Sequence, residues 1–308
     1  MAIHIVYLSH GGKKYYDQTR FSVLSLLHLL LKQQRQDVKI MVYTDAPDSV
    51  PAHPLVRTET LSRAQLQAYR GQFDYVHRIK LEVMLKAARE LGTAVLYVDC
   101  DTRWLRVPDE LFARLEEGKA SCMHVNEGVF GPGFFPDYLA AVDKHGAELR
   151  KMGVADVQGL AMWNAGVVGA SAGMVPFFET ALRLNDFLLP RVEARNWTEQ
   201  LAWSLVACDG REPLALGDAL HHYWNYSYEA PLYLAEVFAG MAPEWDVARQ
   251  AEYCGEFAWD ESRLKAIQAD PEHKRQRRRN KLRNSISKRK VDWRILIARL
   301  RGALPSAD

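Results

Sequence analysis

The sequence is poor in cysteine and carries no recognisable signal segment. Its four cysteines, Cys100, Cys122, Cys208 and Cys254, include no C-x-x-C pair, which excludes a disulfide scaffold as the basis of the fold. The first residues lack the basic region and the apolar core that a secretory signal needs. We therefore expect free thiols and a cytoplasmic, reducing environment.

Long apolar runs are also absent. The longest apolar-rich segment, residues 21–31, is interrupted by Ser22, Ser25 and His28 and is shorter than the roughly 20 residues that cross a bilayer. What is present is a globular composition, with 48% hydrophobic and 25% charged residues in a chain of 308. The sequence thus predicts a folded protein of one large α/β domain or two smaller domains, without a membrane span.

Basic residues are unevenly distributed along the chain. Residues 274–301 hold 13 of the 40 lysines and arginines and one acid, Asp292, whereas residues 1–273 hold 27 basic and 36 acidic residues. Such an asymmetry is typical of a chain with one end that meets an anionic surface. We therefore divide the chain into a main domain of residues 1–272 and a basic tail of residues 273–308.

Apolar residues in the basic tail recur at helical spacing. They are separated by steps of 4, 7, 4 and 3, which puts them on one helical face: Leu282, Ile286, Trp293, Ile297 and Leu300. Basic residues surround this face, a pattern typical of a helix that lies on an anionic membrane. A solvated or core-docked helix is the alternative.

We expect no nucleic-acid partner, because the acidic main domain would repel phosphates.

Short apolar segments alternate with longer helical patterns in the main domain. Strands are predicted at residues 3–8, 38–44, 94–98, 120–125 and 165–170, and helices at residues 19–34, 75–91, 137–152, 174–189 and 198–208. This order predicts a mainly parallel sheet covered by helices on both faces. Ligands of such sheets bind beyond the carboxyl ends of the strands, so the loops after Leu8, Val98 and Val168 are candidate site segments.

Two carboxylates follow the predicted central strand directly. Asp99 and Asp101 are separated by one residue, so both point to the same side of an extended segment at the strand exit. Carboxylate oxygens suit Mg²⁺ or Mn²⁺, which completes its coordination with water and substrate phosphates. The sequence therefore predicts a metal site here, with a solvated turn as the alternative.

Several motifs resemble those of one enzyme class in order and spacing. Residues 95–105, VLYVDCDTRWL, resemble the D-x-D region of GT-A glycosyltransferases, especially the retaining galactosyl- and glucosyltransferases that include lipopolysaccharide enzymes. Further matches are His77-Arg78-Ile79-Lys80, Trp163-Asn164-Ala165-Gly166-Val167, Glu199-Gln200 and His222-Tyr223-Trp224. The resemblance spans roughly residues 3–226. The acid that the family carries near the end of the first strand and its late K-P-W motif are absent.

The resemblance implies a Rossmann-like GT-A fold and a set of site residues. It assigns Asp99, Asp101 and His222 to the metal, with His221 as an alternative ligand. The implied donor-binding residues are Tyr7, Ser9, Arg78, Lys80, Asp99, Asn164, Ala165 and Gly166. The implied catalytic residues are Glu199 and Gln200, and the candidate acceptor contacts are Trp163, Trp197, Trp224, Asn126 and Glu127.

The expected function is that of a metal-dependent glycosyltransferase at the inner face of a membrane. It would move a hexose from a nucleoside diphosphate sugar, with UDP favoured, to a hydroxyl of a glycan or glycolipid with retention. An inverting reaction would need a carboxylate base, for which Glu199 is the candidate. A non-enzymatic sugar-nucleotide-binding adaptor is an alternative. Haloacid dehalogenase-type phosphatases, which also begin with D-x-D, fit less well because Arg103 stands where they carry Thr or Val.

Overall fold

Alternating strands and helices build the protein, as the hydrophobic pattern predicts. A computed structural model describes residues 3–131, 133–154, 160–193, 195–208, 210 and 212–304, without the side chains of residues 283, 284, 287 and 288. The strands are β1 (Ile3–Ser9), β2 (Val38–Thr44), β3 (Val56–Thr60), β4 (Ala94–Val98), β5 (Thr102–Trp104), β6 (Ser121–Met123), β7 (Asn126–Val129), β8 (Ala161–Trp163), β9 (Val167–Ala170), β10 (Leu214–Ala215) and β11 (Leu220–His222). The α-helices are α1 (Lys13–Lys32), α2 (Arg63–Tyr69), α3 (Arg78–Leu91), α4 (Asp109–Glu116), α5 (Pro136–Lys144), α6 (Gly146–Lys151), α7 (Val175–Leu188), α8 (Thr198–Ala207), α9 (Ala230–Ala239), α10 (Val247–Glu256), α11 (Glu261–Ala269) and α12 (Pro271–Leu300).

Seven strands form the central sheet in the order β10-β6-β9-β4-β1-β2-β3. Strand β9 runs antiparallel to β4 and β6, and the other neighbouring pairs are parallel. The expected α/β class with a mainly parallel sheet is therefore confirmed. The direction of β9 was not predicted, because the hydrophobic pattern of a strand does not encode the direction in which it runs.

The sheet is buried on both faces. Successive side chains of a strand point to opposite faces, so Ile5 and Tyr7 of β1 join one apolar layer and Val6 joins the other. The first layer contains the inner face of α1, and the second contains the inner faces of α3, α7 and α8. This arrangement explains why the central strands are nearly continuous apolar runs.

Some predicted boundaries differ from the structure at helix ends. Helix α1 begins at Lys13, six residues earlier than expected, directly after Gly11 and Gly12, whose positive φ angles form the preceding turn. The helix predicted over residues 137–152 is two helices, α5 and α6, because His145 between them has a non-helical backbone with φ of −110°. Strands β2 and β4 have the predicted limits.

The C-terminal helix α12 has two apolar faces. Val291, Ile295 and Ala298 pack against the main domain, where Phe73, Tyr75 and Leu189 contact them. Two residues correspond to about 200° of helix rotation, so Trp293 lies on nearly the opposite side of the helix from Val291, and Ile297 from Ile295. The predicted face is exposed, through Leu282, Ile286, Trp293, Ile297 and Leu300. No helix in the described ranges is long and apolar enough to cross a membrane.

The division at residue 272 stays a prediction. Helix α12 begins at Pro271, and Asp270 caps it by accepting a hydrogen bond from the His273 backbone amide. Residues 1–2 of the predicted main domain and residues 305–308 of the basic tail lie outside the described residues.

Candidate metal centre and ligand cleft

The candidate metal residues come together where β4 ends and a small two-stranded sheet begins. Strand β5 follows Asp101 directly and pairs with β11, with Thr102 opposite His222. The Tyr223 amide extends this pairing by donating a hydrogen bond of 3.0 Å to the Asp101 carbonyl oxygen. The backbone therefore fixes the distance between the D-x-D segment and a histidine 121 positions further along the chain.

Asp99, Asp101 and His222 form a compact group of possible ligands. His222 Nε2 lies 3.3 Å from Asp101 Oδ1 and 4.0 Å from Asp99 Oδ2. One ligand atom from each of the three side chains lies within 4.8 Å of the other two. All three side chains are half-buried or more, with 31% of Asp99, 20% of Asp101 and 6% of His222 exposed.

The structure distinguishes the two neighbouring histidines. Side chains alternate along β11, so His221 and His222 point to opposite sides. The ring of His221 packs edge-on against Trp259, with ring centroids 5.3 Å apart, while His222 faces the two aspartates. The group therefore contains His222, as the resemblance implies, and not His221.

Gly166 makes room for His222. This glycine lies between β8 and β9, and its carbonyl oxygen accepts a hydrogen bond of 2.8 Å from the Asp99 amide. A Cβ atom at position 166 would lie 2.3 Å from His222 Cε1 and 2.5 Å from His222 Nδ1. The backbone and the imidazole thus approach more closely than any side chain at this position would permit.

The donor set fits a divalent cation. Two carboxylates and one imidazole offer oxygen and nitrogen ligands, and His222 Nε2 is the nitrogen that faces the carboxylates. His222 Nδ1 is buried without a hydrogen-bond partner among the described residues, which leaves it able to carry the proton of a neutral ring. Imidazole is a better ligand for transition metals than for Mg²⁺, so this set favours Mn²⁺ over Mg²⁺.

Charge complementarity within the group is visible in the pKa values of its members. Burial acts to raise the pKa of Asp101, but the hydrogen bond and positive charge of His222 outweigh burial and lower it. Burial acts to lower the pKa of His222, and the neighbouring Asp101 and Asp99 outweigh it and raise that pKa. The aspartates thus favour a positive charge in their midst, as a cation site requires.

Lys80 lies beside the candidate metal centre and pairs with two carboxylates. Its buried ammonium lies 3.6 Å from Asp99 Oδ1 and 3.2 Å from Glu199 Oε1, and it also donates to the Ala165 carbonyl oxygen. Burial acts to lower the pKa of Lys80, but these two carboxylates outweigh it and raise that pKa. Burial raises the pKa of Glu199, which also accepts a hydrogen bond of 2.6 Å from Trp203 Nε1.

A cleft of about 930 Å³ lies over the centre. Residues of the predicted site that line it are Lys80, Asp99, Asp101, Asn164, Ala165, Gly166, Trp197, Glu199, Gln200, His222 and Trp224. Glu127 also lines it and orients two amides, accepting 2.8 Å hydrogen bonds from Asn164 Nδ2 and from Gln200 Nε2. Gln200 Oε1 in turn accepts a hydrogen bond of 3.3 Å from the Ala165 amide. We call this space the ligand cleft.

Besides the alternative ligand His221, five residues of the predicted site do not line the ligand cleft: Tyr7, Ser9, Arg78, Asn126 and Trp163. Arg78 is directed away from it, because its guanidinium pairs with Asp186 and Glu82. Tyr7 is buried, and its hydroxyl is bonded to Ser22 and Trp104. Ser9 and Trp163 are also buried, and exposed Asn126 accepts a hydrogen bond from the Gly128 amide.

The sequence reasoning missed the contribution of α1. Lys14, Tyr15 and Gln18 of this helix line the ligand cleft beside His10 and Gly11, which lie in the loop after Leu8 that was predicted as a site segment. Lys14 and Tyr15 lie near the candidate metal centre, because Asp101 lines the same cleft. The Gly11-Gly12 pair directly before Lys13 is the sequence signal of a turn that could have located the start of α1 and these residues.

Comparison with known proteins yields no family. No protein-family model matches the chain, and no curated protein sequence matches it significantly. The fold, the candidate metal centre and the ligand cleft are therefore the features that bear on function.

Proposed function

We propose that this protein is a metal-dependent glycosyltransferase of the GT-A class. Its substrate would be a nucleoside diphosphate sugar, with UDP favoured, from which it transfers a hexose to a hydroxyl of a glycan or glycolipid. The observation that carries this proposal is the group of Asp99, Asp101 and His222 at the floor of the ligand cleft. A divalent cation held there would neutralise the diphosphate as it departs with its electron pair.

The surroundings of the group support this choice. The two aspartates leave the carboxyl end of β4, a central strand of a mostly parallel sheet, where α/β proteins bind ligands. The cleft volume of about 930 Å³ is within the range of sites that bind cofactor-sized molecules. The order of the sequence motifs along residues 3–226 also resembles that of GT-A glycosyltransferases.

The protein groups in the cleft would bind and orient the donor sugar. Asn164 is held by Glu127 and by the Gly166 amide, which donates to Asn164 Oδ1 over 2.9 Å. Gln200 is held by Glu127 and Ala165, so both amides have fixed orientations. Preorganised amides at this edge would hydrogen-bond sugar hydroxyls without a cost of ordering. The exposed ring of Trp224 is an apolar face on which an acceptor sugar would stack.

The contacts of the remaining acids favour retention. An inverting reaction needs a carboxylate that is free to accept the acceptor proton. Among the residues that the structure describes, Glu127 and Glu199 are the acids that line the cleft apart from Asp99 and Asp101. Glu127 accepts hydrogen bonds from the side-chain amides of Asn164 and Gln200. Glu199 accepts a hydrogen bond from Trp203 and forms an ion pair with Lys80. An inverted product linkage, determined by NMR of the anomeric proton, would contradict this step and leave the metal-dependent transfer in place.

Calorimetry with a panel of UDP-, GDP-, CMP- and dTDP-sugars, with and without Mn²⁺, tests the proposal. We expect Mn²⁺-dependent binding of at least one donor, followed by slow hydrolysis of that donor. Asp101→Ala should abolish the Mn²⁺ dependence, whereas Asp143→Ala, an exposed acid on α5, is the matched control. Absence of binding to every sugar nucleotide would refute the proposal, and binding without turnover would favour the adaptor function.

We further propose that α12 attaches the protein to an anionic membrane on its cytoplasmic side. The exposed apolar face of α12 is surrounded by basic residues, and Trp293 at 62% and Leu300 at 78% exposure are available to enter the headgroup region. Each basic residue near such a surface contributes about 1 kcal/mol. The opposite face stays packed on the main domain.

Sedimentation with vesicles tests the membrane proposal. We expect binding to vesicles rich in phosphatidylserine and none to phosphatidylcholine vesicles. The double variant Trp293→Ala/Ile297→Ser should weaken the binding at least tenfold and leave the packed face intact. Equal binding of the variant and the unchanged protein would refute the proposed role of this face.

A further inference from the structure

A second cavity of about 820 Å³ lies beside the ligand cleft. Gly11, Lys14 and Tyr15 line both spaces, so the first turn of α1 is their common wall. The opposite wall comes from the segment before α9, the first turn of α9 and the first turns of α12, through Tyr228, Leu232, His273, Gln276 and Asn280. None of these five residues belongs to the metal centre or to the motifs described above.

A buried ion cluster fixes the α12 wall in place. The carboxylate of Glu229 is fully buried, and its Oε1 lies 3.1 Å from His273 Nε2 and 3.2 Å from an Arg277 nitrogen. These two residues are one helical turn apart on α12. The first turns of α12 are thus attached to the main domain, and the second cavity has a defined shape.

The lining of the second cavity is chemically suited to a neutral, hydroxyl-rich molecule. Gln276 and Asn280 each offer an amide donor and an amide acceptor, which match the two roles of a sugar hydroxyl. Tyr15 is 41% exposed and offers a ring face for stacking. The acids Asp270 and Glu272 balance the basic Lys14 and His273, so the lining lacks the basic excess that a phosphate-rich ligand would need.

The junction of the two spaces is aromatic and cationic. Lys14 Nζ lies 5.2 Å from the Tyr15 ring centroid and 5.7 Å from the Tyr228 ring centroid. Within the described residues, no carboxylate lies within ion-pair distance of Lys14. A sugar that passes this junction would meet an aromatic face and an ammonium donor before it reaches the metal centre.

We infer that the second cavity binds the non-reacting sugars of a neutral oligosaccharide acceptor, whose terminal hydroxyl enters the ligand cleft past Tyr15. This inference rests on the proposed glycosyltransferase function for the reaction, but the binding itself is independent of it. Helix α12 would therefore contribute to acceptor binding through its first turns, in addition to the membrane contact proposed for its second half.

An array of neutral oligosaccharides, probed with the fluorescently labelled full chain, tests the inference. We expect the unchanged protein to bind at least one arrayed oligosaccharide, and Gln276→Ala/Asn280→Ala to bind it at least tenfold more weakly. Alanine is favourable in a helix, so the variant should fold. Gln33→Ala/Gln36→Ala, at exposed amides near the end of α1 and outside both cavities, is the matched control.

The outcomes separate the two proposals. No oligosaccharide binding by the unchanged protein, or equal binding by the Gln276/Asn280 variant, would overturn the inference about the second cavity. Mn²⁺-dependent donor binding is measured separately on the unchanged protein. Its absence would refute the proposed function, whereas loss of oligosaccharide binding in the variant alone would still assign a glycan site to the second cavity.

Discussion

Replacing Gly166 with alanine tests the geometry of the candidate metal centre most directly. The added Cβ would lie 2.3 Å from His222 Cε1 and 2.9 Å from Asn164 Oδ1, although ordinary contacts begin near 3.4 Å. The imidazole must therefore move by about 1 Å. A displacement of this size disturbs the neighbouring contacts, because protein interiors are close-packed. His222 Nε2 would then leave its position 3.3 Å from Asp101 Oδ1.

The expected magnitude follows from how metal sites respond to such changes. Loss of a group that orients a ligand typically lowers metal affinity about 10–100-fold, equal to about 1.4–2.8 kcal/mol. We expect Gly166→Ala to weaken Mn²⁺ binding by this factor, measured by electron paramagnetic resonance of free Mn²⁺. Gly133→Ala is the control, because a Cβ there has no atom within 4 Å.

If folded Gly166→Ala protein bound Mn²⁺ within twofold of the unchanged protein, His222 could not be a metal ligand in the position described. Thermal unfolding without metal should accompany the titration, since a variant that is only less stable would lose affinity in proportion to its unfolded fraction.

Three further predictions concern stability. Lys80→Met should destabilise the protein by about 3–5 kcal/mol in urea unfolding, because it leaves the buried carboxylate of Glu199 without its cationic partner. Adding Glu199→Gln should recover most of this loss, and failure to recover would contradict the pairing. Gly169→Ala should cost about 1–3 kcal/mol by the same measurement, because its Cβ would lie 2.6 Å from Leu96 Cδ1; a neutral effect would contradict the packing of β9 on β4. Ile295→Ala should make α12 more sensitive to proteolysis, because it lowers the free energy of local unfolding of this helix by about 2–5 kcal/mol. Ile297→Ala, on the exposed face, should change the rate of proteolysis little. Equal effects of the two variants would refute the packing of one face of α12 on the main domain.

The central strands and the two aspartates of the candidate metal centre were predictable from sequence for a local reason. An apolar run such as residues 94–98 requires burial on both faces, and acids that follow it directly must lie at the sheet edge. Both features involve only neighbouring residues, so Asp99 and Asp101 could be identified without knowledge of the fold. The resemblance then supplied His222, which local pattern could not distinguish from His221.

The basic residues show where sequence reasoning fails. The resemblance of residues 77–80 to a family motif implied that Arg78 and Lys80 would both contact the donor. In the structure Arg78 pairs with Asp186, 108 positions away, and Lys80 faces Asp99 and Glu199. A charge pattern gives the sign of a side chain, but its partner depends on contacts between distant segments. Lys80 therefore positions carboxylates of the site, and Lys14 is the cation at the cleft without an ion-pair partner in the described structure.

Helix α12 connects the proposed membrane contact with the proposed acceptor site. Its first turns are held to the main domain by buried Glu229, and its second half is held through Val291 and Ile295. A helix attached at both ends cannot rotate independently of the sheet that carries Asp99 and Asp101. Membrane binding through the exposed face of α12 would therefore fix the orientation of the ligand cleft relative to the bilayer. A lipid-linked glycan would then reach the second cavity from a constant direction, which makes binding to the surface part of substrate alignment.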